Sequence, residues 1–386
     1  VRSKTLSRRC STVTALALST VLLPLSAAHA ADATPTANPA TPTVNRATTD
    51  AFGRIADAVF TDRTAALLDR PQAAPRTALK ATAGIPLSAA LARTEGTSVN
   101  SLRGTRDRLA ALGEAYTAAD TQVSVDKTRV RGDRATAWVT ETTTLTYKKI
   151  RGDEPDTTGF SAHHVLTFTA RPDGIWKLAG LRATDQGTPQ VNQPVTPTAR
   201  MTPMAVVDAP RAATSYPAPA NPKTLGRGTP YDYAAMATYA EKYWKNYNPA
   251  YRKFNAVGGD CTNFVSQSLL AGGWKPVTAV TPEEYDTWYY VANGQSDSWA
   301  GVNEWSWFTQ TAHRTTPLAN VYQMDVGDVM QADFDKDGSK DHTMITSYRS
   351  PSGVPYLTYH DADTYRRSAS SIIASYPGAA YYAYRT

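Results

Sequence analysis

At 386 residues, with 41% hydrophobic and 19% charged residues, the chain is long enough for two domains joined by linkers. Its formal charge of +6 is misleading: without Arg2, Lys4, Arg8 and Arg9, the 40 basic residues become 36 against 34 acidic ones. No basic stripe remains to argue for a nucleic-acid partner, and no segment beyond the first thirty residues could span a bilayer.

The chain opens with a basic stretch, an apolar run from Val13 to Leu25, and the small-residue ending Ala28-His29-Ala30. That order predicts a secretory signal peptide over residues 1–30 and a secreted product, free of membrane once the signal is cleaved. Arg8-Arg9 leaves a twin-arginine route open beside the general one. Cys10 would leave with the signal, so Cys261 would be the lone cysteine of an exported protein, either a reactive thiol or buried filler.

Residues 31–48 carry Ala, Thr, Pro and Asn and few large apolar side chains, which predicts a flexible leader. From 49 to 186, helices are expected at Ala51–Leu68 and Ser101–Ala119. Strands are expected at Val123–Val125, Lys127–Val130, Ala135–Tyr147, His163–Ala170 and, past a Pro172-Asp-Gly174 turn, Ile175–Leu178. This is a small α+β domain that resembles the cone-shaped nuclear-transport-factor-like class. His163 and His164 are neighbours on a strand, so they face opposite ways and cannot chelate together. Residues 187–228 are proline-rich and read as a linker.

The C-terminal domain, 229–386, begins with a helix over Tyr231–Tyr247. The stretch Gly258-Gly-Asp-Cys-Thr-Asn-Phe-Val-Ser-Gln-Ser-Leu-Leu-Ala-Gly-Gly273 follows. Asp260 is a good N-cap, and the glycine pairs bound a helix with Cys261 at its first position. There the helix dipole and free N–H groups favour a thiolate, which makes Cys261 a candidate nucleophile. Trp274, Trp288, Trp299, Trp305 and Trp307, with Tyr285, Tyr289 and Tyr290, read mainly as core, with one or two left to line a groove.

A nucleophilic thiol needs a proton acceptor. His313 stands at a helix end and reads as a cap or surface residue; His342 and His360 belong to strands near Thr343–Tyr348 and Tyr356–His360. A hairpin turning at Pro351-Ser-Gly353 sets His342 opposite Asp361 and within one residue of His360, with Asp361 and Asp363 as rival orienting groups. Between Asp333 and Asp341, the acids Asp333, Asp335, Asp337 and Asp341 take positions one, three, five and nine of a calcium loop, with Gly338 at six. Met344 replaces the expected twelfth-position acid, so a solvated acidic turn is the competing reading. Zinc is disfavoured, since neither a second cysteine nor a close histidine pair accompanies Cys261.

These motifs, "GGDCTNFVSQSLLAGG", "GDVMQADFDKDGSKDHTMI" and "YLTYHDADTYRRS", resemble the amidase domain family of exported bacterial proteins, related to papain-like NlpC-type and CHAP enzymes. The resemblance implies an α+β fold in which a nucleophile helix packs on an antiparallel sheet. It implies Cys261 as nucleophile, His342 as general base and acid, His360 as third residue, and Asn255 with the Cys261 N–H as oxyanion donors supported by Asp260. The implied activity is hydrolysis of amide bonds, with cell-wall peptide as substrate class and no cofactor needed for the chemistry. A non-catalytic wall- or protein-binding module is the alternative.

Overall fold

The computed structural model describes residues 45–69, 84–150, 152–185, 189–194, 208–224, 229–278 and 285–386. The expected signal peptide, nearly all of the leader and parts of the linker, including Pro197 and Pro203, lie outside them. Among the described residues no helix is long and apolar enough to cross a membrane.

Asn45 caps α1 (Arg46–Ala65) by accepting the Thr48 N–H at 2.8 Å, and Phe52, Ile55, Val59 and Phe60 recur at helical spacing to form its buried face. Ser88 caps α2 (Ala89–Ala111), which starts and stops earlier than the sequence suggests. Gly113, at φ 81°, turns the chain, and Tyr116 already belongs to a strand. β1 (Tyr116–Arg131) is one strand where two were expected, because a register shift between Val125 and Lys127 absorbs the break in alternation. With β2 (Arg134–Tyr147), β3 (Thr157–Ala170) and β4 (Trp176–Ala183) it forms an antiparallel meander. α1 packs on it, Phe52 stacking on Phe168 at 3.9 Å.

The C-terminal part contains α3 (Tyr233–Tyr243), α4 (Cys261–Ala271), the two-residue strands β5 (Tyr290–Val291) and β6 (Gly294–Gln295), α5 (Asp297–Ala300) and α6 (Val302–Thr311). Then come β7 (Thr316–Leu318), β8 (Val329–Asp333), β9 (His342–Arg349), β10 (Pro355–Tyr359), β11 (Thr364–Ser368), α7 (Ala369–Ser375) and β12 (Ala380–Arg385). The larger sheet runs β1-β2-β3-β11-β10-β9-β8-β12-β7, with β4 also on β3. β11 joins the meander through Thr364↔Phe160 and Tyr365↔Gly159, so the two halves read separately in the sequence share one sheet. The whole is α+β with an antiparallel sheet and several helices.

Alternation along the central strands sorts the core into two layers. Val329, Ile345, Tyr382 and Tyr384 pack with Phe264, Val265 and Leu269 of α4 and with Trp274, Trp288, Trp299 and Trp305. Met330, Ala332, Met344, Leu357 and Tyr359 face the other way, onto Ile372, Tyr376 and residues of the meander such as Tyr116 and Phe160. The expected core role of these four tryptophans matches their burial, none above 1% exposed.

Candidate active site

α4 begins at Cys261, the first helical residue, and the thiol is buried. Its sulfur lies 3.8 Å from the Thr262 hydroxyl, which in turn is 2.8 Å from the Thr343 hydroxyl on β9. Asp260 holds the N-cap position, yet its side chain makes no capping bond. Its Oδ1 instead accepts N–H groups from Phe254 at 2.8 Å and from the Asn263 amide at 2.9 Å.

The missing cap comes from across the fold. Asp361, just past β10, reaches the helix start, where its Oδ2 accepts the Cys261 N–H at 2.8 Å and also the Asp260 N–H. Its Oδ1 accepts the Asn255 amide at 2.8 Å. The Asn255 amide also donates to the Tyr247 hydroxyl at 2.9 Å, and that hydroxyl donates to Asp363 at 2.8 Å. Thus the two groups expected to serve as oxyanion donors, Asn255 and the Cys261 N–H, converge on one negatively charged group. Asp361 and Ala362 hold φ values of 56° and 98°, a left-handed turn that aims the carboxylate into this hole.

The electrostatics differ from the expected activated thiolate. Burial and then the Asp361 carboxylate push the Cys261 thiol up to about 12, outweighing the Thr343 N–H and the Thr262 hydroxyl. A helix N-terminus favours an anion, but here its anion is already supplied by Asp361. Asp361 is itself pushed up to about 7, by burial first and the Asp260 charge second. Asp363 rises to about 6 through burial.

His360 joins this cluster. Its ring is stacked between Tyr247, at 3.8 Å, and Phe264, at 4.0 Å. Nδ1 lies 2.6 Å from Asp260 Oδ2, and Nε2 lies 2.9 Å from the Tyr243 carbonyl oxygen. Both ring nitrogens are thus engaged, and the ring is held between Asp260 and the Tyr243 carbonyl.

The expected pairing of His342 with Cys261 does not form. Thr343 is the β9 residue that faces α4, so His342 projects to the opposite side, toward Tyr359 at 4.9 Å and Phe334 at 6.4 Å. The ring is fully buried with neither nitrogen hydrogen-bonded. Burial, then the Arg367 charge, lower His342 to about 3, so it is neutral at ordinary pH.

Other expected sites sort more simply. His163 is half exposed beside Asp185, while His164 is buried against Glu141 at 3.0 Å, on opposite faces as neighbours on a strand must be. His313 follows α6 at φ 51°. Of the four loop acids, Asp333, Asp335 and Asp341 gather; Asp337 is outside that group, its Oδ1 accepting the Ser339 N–H at 2.7 Å. Tyr247 and Thr343 were missed as site residues, since a lone tyrosine after a helix and a strand threonine carry no signal of their own.

Two expected results follow from this geometry. A Cβ at Gly259 would meet Asp361 Oδ2 at 2.7 Å, and the φ of 115° suits only glycine. Gly259→Ala is expected to lower stability by about 1–3 kcal/mol in urea unfolding. His342 has a folded value below its unfolded one, so its contribution is present above about pH 6.5 and lost as pH falls toward about 3. The stability of His342→Leu relative to wild type should therefore improve by about 1.4 kcal/mol per pH unit on going down through that window. A flat difference would contradict a buried neutral His342.

Residues 230–384 match the model of the family described as "Putative amidase domain". That match supports amide hydrolysis in general as the activity of this part of the chain. Two curated relatives, both from Bacillus subtilis (strain 168), are similar. "Uncharacterized protein YhbB" is 30% identical over 148 residues, 38% of this chain and 46% of the relative. "Uncharacterized protein YjcM" is 34% identical over 140 residues, 34% of this chain and 31% of the relative. The chain thus spans less than half the length of either. A solved structure titled "Crystal structure of intermembrane space region of chloroplast protein ARC6" aligns over 37% of this chain and 98% of its own, at 14% identity and a TM-score of 0.25. A likeness that loose carries no argument.

Proposed function

We propose that the protein is a secreted cysteine-dependent amide hydrolase acting on cell-wall peptide, with Cys261 as nucleophile and Asp361 as the group that takes and returns its proton. The observation that carries this reading is the convergence of the Asn255 amide and the Cys261 N–H on one carboxylate, each on its own oxygen, beside a thiol. A tetrahedral oxyanion has the same demand for two fixed donors as the carboxylate now held there.

The steps balance. The thiol proton passes to the Asp361 carboxylate, which removes the negative charge that holds the thiol up and weakens the grip of the carboxyl on the hole. The carbonyl oxygen of the substrate replaces it, and sulfur attacks the carbonyl carbon. Asp361 returns its proton to the nitrogen as the C–N bond breaks, leaving an acyl-thioester. Water then attacks the thioester, giving a proton to Asp361 and restoring the thiol with release of the acid. Asp361 at about 7 is matched to proton transfer near neutral pH. His360, fixed by Asp260 and Tyr243, is a positioning residue. The helix-borne cysteine packed on an antiparallel sheet suits a papain-like plan, and the signal peptide expected over residues 1–30 is what favours a wall substrate.

A non-catalytic binding module is the second reading, favoured by the raised thiol and the filled hole. Incubation with purified cell walls separates the two. Newly freed amines from wild type, and at least a thousandfold fewer from Cys261→Ser, are expected; walls that bind the protein without releasing amines would leave only the binding module.

A further inference from the structure

The loop from β8 to β9 gathers three carboxylates at the end of a buried strand. Asp333, the last residue of β8, is fully buried. Its Oδ2 accepts the Gly338 N–H at 3.1 Å, but its Oδ1 is buried with no hydrogen-bond partner. A desolvated carboxylate oxygen left without a donor is a costly arrangement that a protein keeps when something else satisfies it. One oxygen from each of Asp333, Asp335 and Asp341 lies within 4.8 Å of the others. Oxygens bound about 2.4 Å from a common ion are at most about 4.8 Å apart, so the three can share one cation.

We propose that Asp333, Asp335 and Asp341 hold a calcium ion. Three hard oxygen donors, with no nitrogen or sulfur ligand, select a calcium-like ion over a transition metal. Calcium tolerates irregular sets of six to eight oxygens, which suits a loop that offers Met344 where a bidentate acid would complete the shell. Magnesium demands a tighter octahedron and keeps more of its water. Of the loop's two lysines, Lys336 and Lys340, the second is turned elsewhere: Lys340 pairs its ammonium with Asp208 and lies over the Tyr382 ring at 4.3 Å.

The ion would pin a junction. The Lys340 N–H donates to Asn303 of α6 at 2.9 Å, and the Asn303 amide donates to Ser339 at 2.9 Å. Phe334, beside Asp333, packs on Tyr376 at 4.3 Å and lines a cavity of about 240 Å³ with Arg108 and Val191. Calcium therefore ties the loop to α6, to the described linker residue Asp208 and to the wall of that cavity. This inference stands apart from the amidase reading.

Titration calorimetry of the chelator-treated full chain with calcium chloride tests it, with magnesium chloride as the second arm and thermal unfolding as a second readout. One calcium per chain, a higher Tm with calcium, and affinity reduced more than about tenfold in Asp335→Asn and Asp341→Asn are expected, with Asp337→Asn within about threefold of wild type. Asp335 and Asp341 are not buried, so these variants keep the fold. Absence of calcium heat and of any Tm shift, magnesium binding tighter than calcium, or unchanged affinity in both variants would each overturn the proposal.

Discussion

Replacing Asp361 with asparagine is expected to lower amide hydrolysis by about two to four orders of magnitude while making Cys261 easier to alkylate. The two effects run in opposite directions because the carboxylate has two roles. In the proposed reaction it is the proton acceptor, and an amide cannot take a proton from a thiol. It is also the charge that, after burial, does most to hold the thiol up at about 12. Removing one negative charge favours the thiolate, and each unit of change is about tenfold in thiolate fraction. Iodoacetamide labelling of Asp361→Asn at pH 8 should therefore be roughly fivefold or more faster than of wild type. Labelling that falls together with activity would mean the residue only holds the turn in place. His342→Leu should retain activity, and its loss in a folded variant would move the proton to His342.

Trp299→Ala is expected to cost about 3–5 kcal/mol, a large part of the roughly 5–15 kcal/mol that holds an ordinary domain together. The ring is fully buried, 4.8 Å from Trp288 and 5.5 Å from Tyr290, so its removal leaves a cavity that rigid aromatic neighbours cannot close. Trp299→Phe is the more informative change. It keeps most of the packing but loses the Nε1–H bond to Asn263 Oδ1 at 2.7 Å. Asn263 stands on α4, and its amide also donates to Asp260 Oδ1 at 2.9 Å and to the Arg252 carbonyl at 3.0 Å. An unanchored Asn263 loosens the residue that orients His360 and donates its N–H to Asp361. The phenylalanine variant should thus lose about 1–2 kcal/mol in urea unfolding but more than tenfold in kcat.

Where the sequence was legible, local chemistry explains why. The glycines at 258, 259, 272 and 273 and the apolar Phe264, Val265 and Leu269 placed α4, and Cys261 stands at its first position. The hairpin turn at Pro351–Gly353 set the register, which holds at Ile345↔Thr358 and Thr346↔Leu357. Extending that register pairs Thr343, not His342, with His360. A shift of one residue reverses the face, so a histidine judged near in register projects into the other layer. The same rule separates His163 from His164.

The place of Asp361 was not legible, because it depends on two left-handed residues, Asp361 and Ala362, with no glycine to announce them. Nor was the inverted capping. Asp260 has the right identity and position for a cap, but His360, Asn263 and the Phe254 N–H claim its carboxylate, and Asp361, 101 positions later, caps the helix in its place. Long-range exchanges of partner of this kind leave no periodic trace. The sharing of one sheet by the two halves is similar in origin, since β11 and β3 meet through only two pairs.

Acid-quenched mass spectrometry during turnover of purified cell-wall peptide reads the nucleophile directly. A mass increase equal to the acyl part of the substrate, mapped to the peptide containing Cys261 and absent from Cys261→Ala, is the expected result. Undiminished amine release by Cys261→Ala, with no adduct on the wild-type thiol, would contradict it.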